Sequence, residues 1–164
     1  MKKISYSILL IILFIFVNGC SGYKPIFSSA NSQFQIFDYS IEGDKILGNK
    51  IYSKLHKMSK SKKDDQNVRS ISLLIDISKD KDATSKDSAG KILEYRITLN
   101  TNIDVKDFIT NSKILNQTLT SSLIYKTQDQ YSDTIDLENK SIENLIDKIF
   151  QELFIKLVES IATK

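Results

Sequence analysis

Leu93-Glu94-Tyr95-Arg96-Ile97-Thr98-Leu99-Asn100-Thr101-Asn102-Ile103-Asp104-Val105 alternates a large or β-branched side chain with a polar one along its whole length. Successive side chains of a strand point to opposite faces, so the stretch predicts a long strand with one apolar face and one wet face. Half-buried strands of this kind belong to antiparallel sheets, because strands of parallel sheets are usually covered on both faces.

The same period extends on either side. Upstream, Ile71, Leu73, Ile75 and Ile77 alternate with Ser70, Ser72, Asp76 and Ser78, and only Leu74 is out of phase. Downstream, a turn around Thr110–Lys113 leads to Leu115, Leu119, Leu123 and Tyr125 in one phase. The charged stretch Lys79–Gly90 is expected as a loop between the first two of these strands. Further upstream Phe34–Ile41 reads as another strand, with Phe37, Tyr39 and Ile41 separated by Asp38 and Ser40.

Two stretches change to the helical period. After the break at Gly43-Asp44, with Asp44 as N-cap, Ile46, Leu47, Ile51, Leu55 and Met58 recur at helical spacing. Lys45, Lys50, Lys54 and Lys57 take the other side, which predicts a helix over Lys45–Met58. Ser59–Asn67 is a polar loop. At the C-terminal end Ile142, Leu145, Ile146, Ile149, Phe150, Leu153, Phe154, Leu157, Val158 and Ile161 hold an apolar stripe for five turns. That stripe is read as core packing against the sheet; the competing reading, a partner-binding helix, gains only from Ile155, which extends the apolar arc. The order strand, helix, three strands, helix predicts an α+β two-layer sandwich over residues 34–164. Both helices pack on one face of a four-stranded, mostly antiparallel sheet.

The N-terminus speaks to location. Met1-Lys2-Lys3 is basic, and Ile8–Val17 is an unbroken apolar run. A helix needs about 20 apolar residues to cross a bilayer, so this run has the length of a signal-peptide core instead. The tetrad Val17-Asn18-Gly19-Cys20 resembles a bacterial lipobox. It implies a signal peptide over 1–19, cleavage between Gly19 and Cys20, and S-diacylglycerol plus N-acyl (palmitate-type) modification of Cys20. The competing reading is an incidental thiol at the end of a transmembrane anchor. Cys20 is the only cysteine, which excludes an intramolecular disulfide. In bacterial lipoproteins an Asp after the cysteine commonly retains the product in the inner membrane. Ser21 stands there, and the resemblance implies delivery to the outer membrane. Residues 20–33 read as an acylated tether ahead of the domain.

Cleavage would remove Lys2 and Lys3, lowering the formal charge of +3 by two to +1. A nearly neutral chain gives nucleic-acid binding no electrostatic support. The chain has one histidine, His56, no His/Cys cluster, no G-x-S-x-G and no phosphate-cradling glycine loop. No metal, no cofactor and no enzymatic activity are expected. A periplasmic hydrolase is the least supported of the readings.

Three short stretches carry a family resemblance. Cys20-Ser21-Gly22-Tyr23-Lys24-Pro25-Ile26-Phe27 resembles the opening of the mature lipopolysaccharide-assembly lipoproteins of the LptE family, alphaproteobacterial members above all. Gly90-Lys91-Ile92-Leu93-Glu94-Tyr95-Arg96-Ile97 resembles that family's turn into its longest strand. Tyr125-Lys126-Thr127-Gln128-Asp129-Gln130-Tyr131-Ser132 resembles its junction before the last helix. Ser21 ahead of Gly22, and Ser132 for the usual Ala, depart from the pattern. The resemblance implies the same sandwich and a non-enzymatic role in cell-envelope biogenesis. Such a lipoprotein plugs the LptD β-barrel and helps deliver lipopolysaccharide to the cell surface. Lipopolysaccharide phosphates would call for cations, for which Lys91 and Arg96 are candidates, followed by the loop lysines Lys79, Lys81 and Lys86. An accessory lipoprotein of an ABC-type lipid transporter is the alternative partner reading.

Overall fold

The computed structural model describes residues 34–59 and 68–163. The expected signal segment 1–19, the tether 20–33 with Cys20, and most of the loop Ser59–Asn67 lie outside the described residues. The elements are β1 (Phe34–Gly43), α1 (Lys45–Met58), β2 (Arg69–Lys86), β3 (Ile92–Asp107), β4 (Lys113–Lys126) and α2 (Tyr131–Ala162). The sheet order is β1-β2-β3-β4, with β1 parallel to β2 and the other pairs antiparallel.

Alternation places the core. Ile71, Leu73, Ile75 and Ile77 of β2, Ile97, Leu99, Ile103 and Val105 of β3, and Leu115, Leu119 and Tyr125 of β4 are all buried. They meet Leu47, Ile51 and Leu55 of α1 and the stripe Ile142, Leu145, Ile146, Ile149, Leu153, Phe154 and Leu157 of α2. The expected two-layer sandwich is therefore the observed one. Asp44 caps α1, its carboxylate accepting the N–H groups of Ile46 (3.0 Å) and Leu47 (3.1 Å). The two helices are joined by Lys50–Glu143 and by Lys54–Asp147 at 2.6 Å.

Four local expectations are corrected. First, β2 does not give way to a loop at Lys79 but continues to Lys86, paired with β3 from Lys79↔Leu99 to Lys86↔Ile92. Ladder hydrogen bonds are backbone bonds, so hydrophobic patterning does not report them. The charged residues suit a strand whose other edge is open, since β1 ends at Gly43, opposite Ile77.

Second, Phe37 does not share the inward face of Tyr39 and Ile41. Register shifts between Ile36 and Asp38, so Phe37 is the extra residue of a β-bulge. Phe34 and Ile36 pack inward before the bulge, and the inward phase passes to Tyr39 and Ile41 after it; Tyr39 stacks on Tyr52 of α1 at 3.8 Å between ring centroids.

Third, α2 begins at Tyr131, well ahead of Ile142, because its first turns bury Thr134 and Ser141 where an apolar stripe was sought. Fourth, Ile46 at the start of α1 and Leu93 at the outer end of β3 are exposed rather than in the core. Ile46 lies one position, about 100° of helix rotation, off the row Leu47, Ile51, Leu55.

Candidate functional site

Two surfaces hold the residues that sequence reasoning pointed to, and they lie on different sides of the sheet. The first is the sheet face turned away from the helices. Alternation sends the even-numbered residues of β3 and β4 there, and they bond across the strands. Thr118 donates to Asn102 (2.8 Å), Thr120 to Asn100 (3.0 Å) and the Asn116 amide to Asp104 (3.3 Å). Asn100 also donates to Asp80 of β2 (3.1 Å). The result is a ladder of amides and hydroxyls on an uncovered sheet face. Arg96 belongs to this face, in register with Asp82 of β2 and Ile124 of β4.

The second is a cleft of about 490 Å³ between the β2–β3 hairpin and the start of α2. Lys81, Lys91, Tyr95, Gln128, Tyr131 and Thr134 are among its walls. Its volume lies in the range of small-ligand sites. The two family-like stretches of the domain, Gly90–Ile97 and Tyr125–Ser132, converge here although they are far apart in sequence. Gly90, at φ +84°, closes the hairpin with Asp87, whose carboxylate accepts the N–H groups of Ala89 and Lys91 at 2.9 Å. The Gln128 N–H donates to the Thr134 hydroxyl (2.8 Å), fixing the approach to α2. Tyr131 is 80% exposed at the rim.

One wall of the cleft is electrostatically tied. Glu138 of α2 accepts from the Tyr125 hydroxyl (2.9 Å) and from Lys81, and Lys79 lies 4.0 Å away. The Lys81 ammonium also stands 4.4 Å from the Tyr95 ring centroid, within cation–π range. Burial works against the Lys81 charge, yet its bonds to Glu138 and Tyr125 outweigh burial and hold its pKa above the usual lysine value. Burial likewise opposes the Glu138 charge, and the bonds from Lys81 and Tyr125, aided by Lys79, hold its pKa below the usual glutamate value. Burial pushes the Tyr125 phenol up.

The candidate cations are therefore divided. Lys91 lines the cleft and Arg96 lies on the open sheet face, so the two do not form one site. Lys79 and Lys81 belong to a strand, not a loop, and are committed to Glu138. Lys86 ends the same strand. Glu138 was not singled out from sequence, because nothing in one helical turn signals a carboxylate facing a strand 57 residues earlier. His56 lies on α1 beside the Tyr52 ring, 5.6 Å between centroids. Among the described residues no three His, Cys, Asp or Glu side chains are grouped to hold a metal.

The tied wall predicts an acid response. A carboxylate with a depressed folded-state pKa contributes stability above its unfolded value, and that contribution is lost as pH falls through the folded value. Glu138→Gln is expected to cost about 1–3 kcal/mol at neutral pH and to flatten the loss of stability below about pH 4.3. Urea unfolding of both forms at several pH values measures this. A residual acid slope should remain from Asp107, whose pKa is lowered by the Thr110 N–H against the cost of burial, with help from Ile109 and Arg69.

Solved structures share this architecture. Minor lipoprotein from Acinetobacter baumannii superposes with a TM-score of 0.52 at 15% identity, covering 77% of this chain and 93% of that one. Lipoprotein B from Nitrosomonas europaea does so with a TM-score of 0.51 at 12% identity, covering 81% and 88%. A candidate lipoprotein from Caulobacter crescentus gives 0.51 at 12% identity, covering 82% and 94%. The fold is that of bacterial lipoproteins. At such identities the likeness is one of fold. No protein-family model and no curated protein matches the sequence.

Proposed function

We propose that the chain is an outer-membrane lipoprotein, cleaved after Gly19 and acylated on Cys20, that acts without catalysis as the partner of an LptD-type β-barrel in lipopolysaccharide assembly. The observation that carries the reading is the amide and hydroxyl ladder of Asn100, Asn102, Asn116, Thr118 and Thr120 on an uncovered sheet face. The lumen of an outer-membrane barrel is lined with polar groups, so a face of hydrogen-bonding amides and hydroxyls, with Asp80 and Asp104 among their partners, suits it better than an apolar one.

Size narrows the partner. Four strands about 4.8 Å apart, backed by a helix layer about 10 Å away, give a cross-section of roughly 20 Å. Barrels of about eight strands are filled by their own side chains, so the partner must be considerably larger. In this reading the cleft, with Lys91, Tyr95 and Tyr131 among its walls and Asp129 also lining it, is the place for a sugar phosphate, the cation meeting the phosphate and the rings meeting the sugar faces.

A tagged chain extracted in mild detergent is expected to retrieve one large outer-membrane barrel. Asn102→Glu, which places a charge on the exposed ladder without touching the core, is expected to lower that retrieval about tenfold, because a charge buried without a partner is costly. Retrieval of an inner-membrane ABC transporter in place of a barrel overturns the proposal in favour of the transporter reading.

A further inference from the structure

We infer that the tip formed by Phe37, Phe108 and Ile109 rests in the interfacial layer of a lipid bilayer and orients the domain on it. The inference builds on the acylation of Cys20 proposed above. It concerns a surface on which neither the ladder nor the cleft draws.

The register gathers the tip and the incoming tether at one end of the molecule. Phe34, the first residue of β1, lies opposite Arg69, the first residue of β2, and Ile71 lies opposite Asp107, the last residue of β3. The chain from Cys20 therefore enters the domain at the end occupied by the β3–β4 turn. Only residues 21–33 separate Cys20 from Phe34. At no more than about 3.6 Å per residue, the tether keeps this end within roughly 50 Å of the lipid. The cleft lies at the other end, at the start of α2, whose 32 residues measure about 48 Å.

The tip is apolar, exposed and rigid. Phe37 is 61% exposed, Phe108 42% and Ile109 83%. The bulge turns Phe37 out of the sheet, so that its ring meets that of Phe108 at 3.9 Å between centroids. The turn beneath is heavily bonded. The Asp107 carboxylate accepts the N–H groups of Ile109 (3.0 Å) and Thr110 (2.9 Å) and pairs with Arg69 (3.1 Å). The Phe108 N–H donates to Ser70 O, and Asn111, at φ 56°, donates to Asp107 O, both at 2.9 Å. A turn so constrained holds Ile109 outward and loses little freedom when it binds.

The neighbouring charges do not select among lipid headgroups. Arg69 is paired with Asp107 and Lys106 with Asp104 (3.4 Å), so the rim carries both signs. Two rings and one branched side chain suit the boundary between headgroups and acyl chains, where interfacial segments bury Phe and Leu side chains. Such a tip holds a membrane weakly by itself, as a single acyl chain does. Tethering converts the contact into an intramolecular one, and a weak contact then suffices to set orientation.

The test uses the processed full chain in vesicles of phosphatidylcholine, some with brominated acyl chains. The sequence has no tryptophan, so Phe108→Trp and Tyr131→Trp each supply a single reporter, one at either end. Bromine is expected to quench the reporter at 108 about twofold or more over that at 131, with a blue-shifted emission at 108 only. Replacing a quarter of the lipid with phosphatidylglycerol should change neither. Equal quenching at both positions, or none at 108, overturns the inference. Mass spectrometry of the same sample tests the anchor separately. Should Cys20 carry a free thiol, coupling this sole cysteine to maleimide-bearing lipid supplies the tether, and the quenching is read against the same criterion.

Discussion

Gly43→Ala is expected to destabilise the domain by roughly 2–5 kcal/mol, from left-handed backbone strain and a forced displacement together. Gly43 has φ +70°, and a Cβ there would lie 2.2 Å from the carbonyl oxygen of Ile77. That oxygen belongs to the backbone of a central strand and cannot swing aside. It also accepts the Asp44 N–H at 2.7 Å, the bond that launches α1 from the end of β1. Alanine would push the β1–α1 corner off β2 and disturb the α1 cap with it. Gly90→Ala is the matched comparison, because Gly90 also has positive φ but nothing lies within 4 Å of its would-be Cβ. It should cost only the strain, about 1–2 kcal/mol. Equal urea midpoints for the two variants would refute the close approach at Gly43.

The second large effect belongs to the core. Phe154→Ala is expected to cost about 3–5 kcal/mol, out of a total stability that for a domain is about 5–15 kcal/mol. Phe154 is fully buried in α2, with Phe34 at 6.4 Å and Phe150 at 6.0 Å between centroids. It ties α2 to β1, so the cavity would open between the first and last of the described elements. Phe37→Ala, on the exposed tip, is expected to change stability by no more than about 0.5 kcal/mol. Thermal unfolding of the two variants side by side measures the contrast, and a similar loss in both would place Phe37 in the core.

Much of the architecture is legible in side-chain alternation. Ile71 to Ile77 and Ile97 to Val105 face inward as their period predicts, and Lys45–Met58 is the helix that its capping residue and apolar row announce. The errors share a cause. Lys79–Lys86 looks like a loop because strand pairing is made by the backbone, and a hydrophobic pattern reports burial rather than pairing. Phe37 looks inward because a bulge leaves no mark on the order of residues, yet reverses the phase of everything after it. The first turns of α2 escape because Thr134 and Ser141 are buried polar residues, one of them bonded to the backbone ahead of the helix.

The candidate surfaces divide in the same way. Asn100, Asn102, Thr118 and Thr120 could be assigned to a wet sheet face from alternation, whereas their bonding across strands depends on register, which one strand's sequence does not carry. Lys91 was visible as a cation and Gly90 as a turn, but the cleft exists because the start of α2 stands against the hairpin.

From its order of residues alone the chain declares how many strands and helices its described residues form, which face of each is apolar, and a lipobox-like cysteine ahead of them. Those are local properties, set by side-chain period and by near neighbours. Only the tertiary structure decides that Glu138 neutralises Lys81, that Phe37 joins Phe108 at the end where β1 begins, and that Lys91 and Arg96 part to different faces. Each of these is a contact between residues distant in sequence, and the register and packing that create such contacts arise only when the whole sheet closes on its helices.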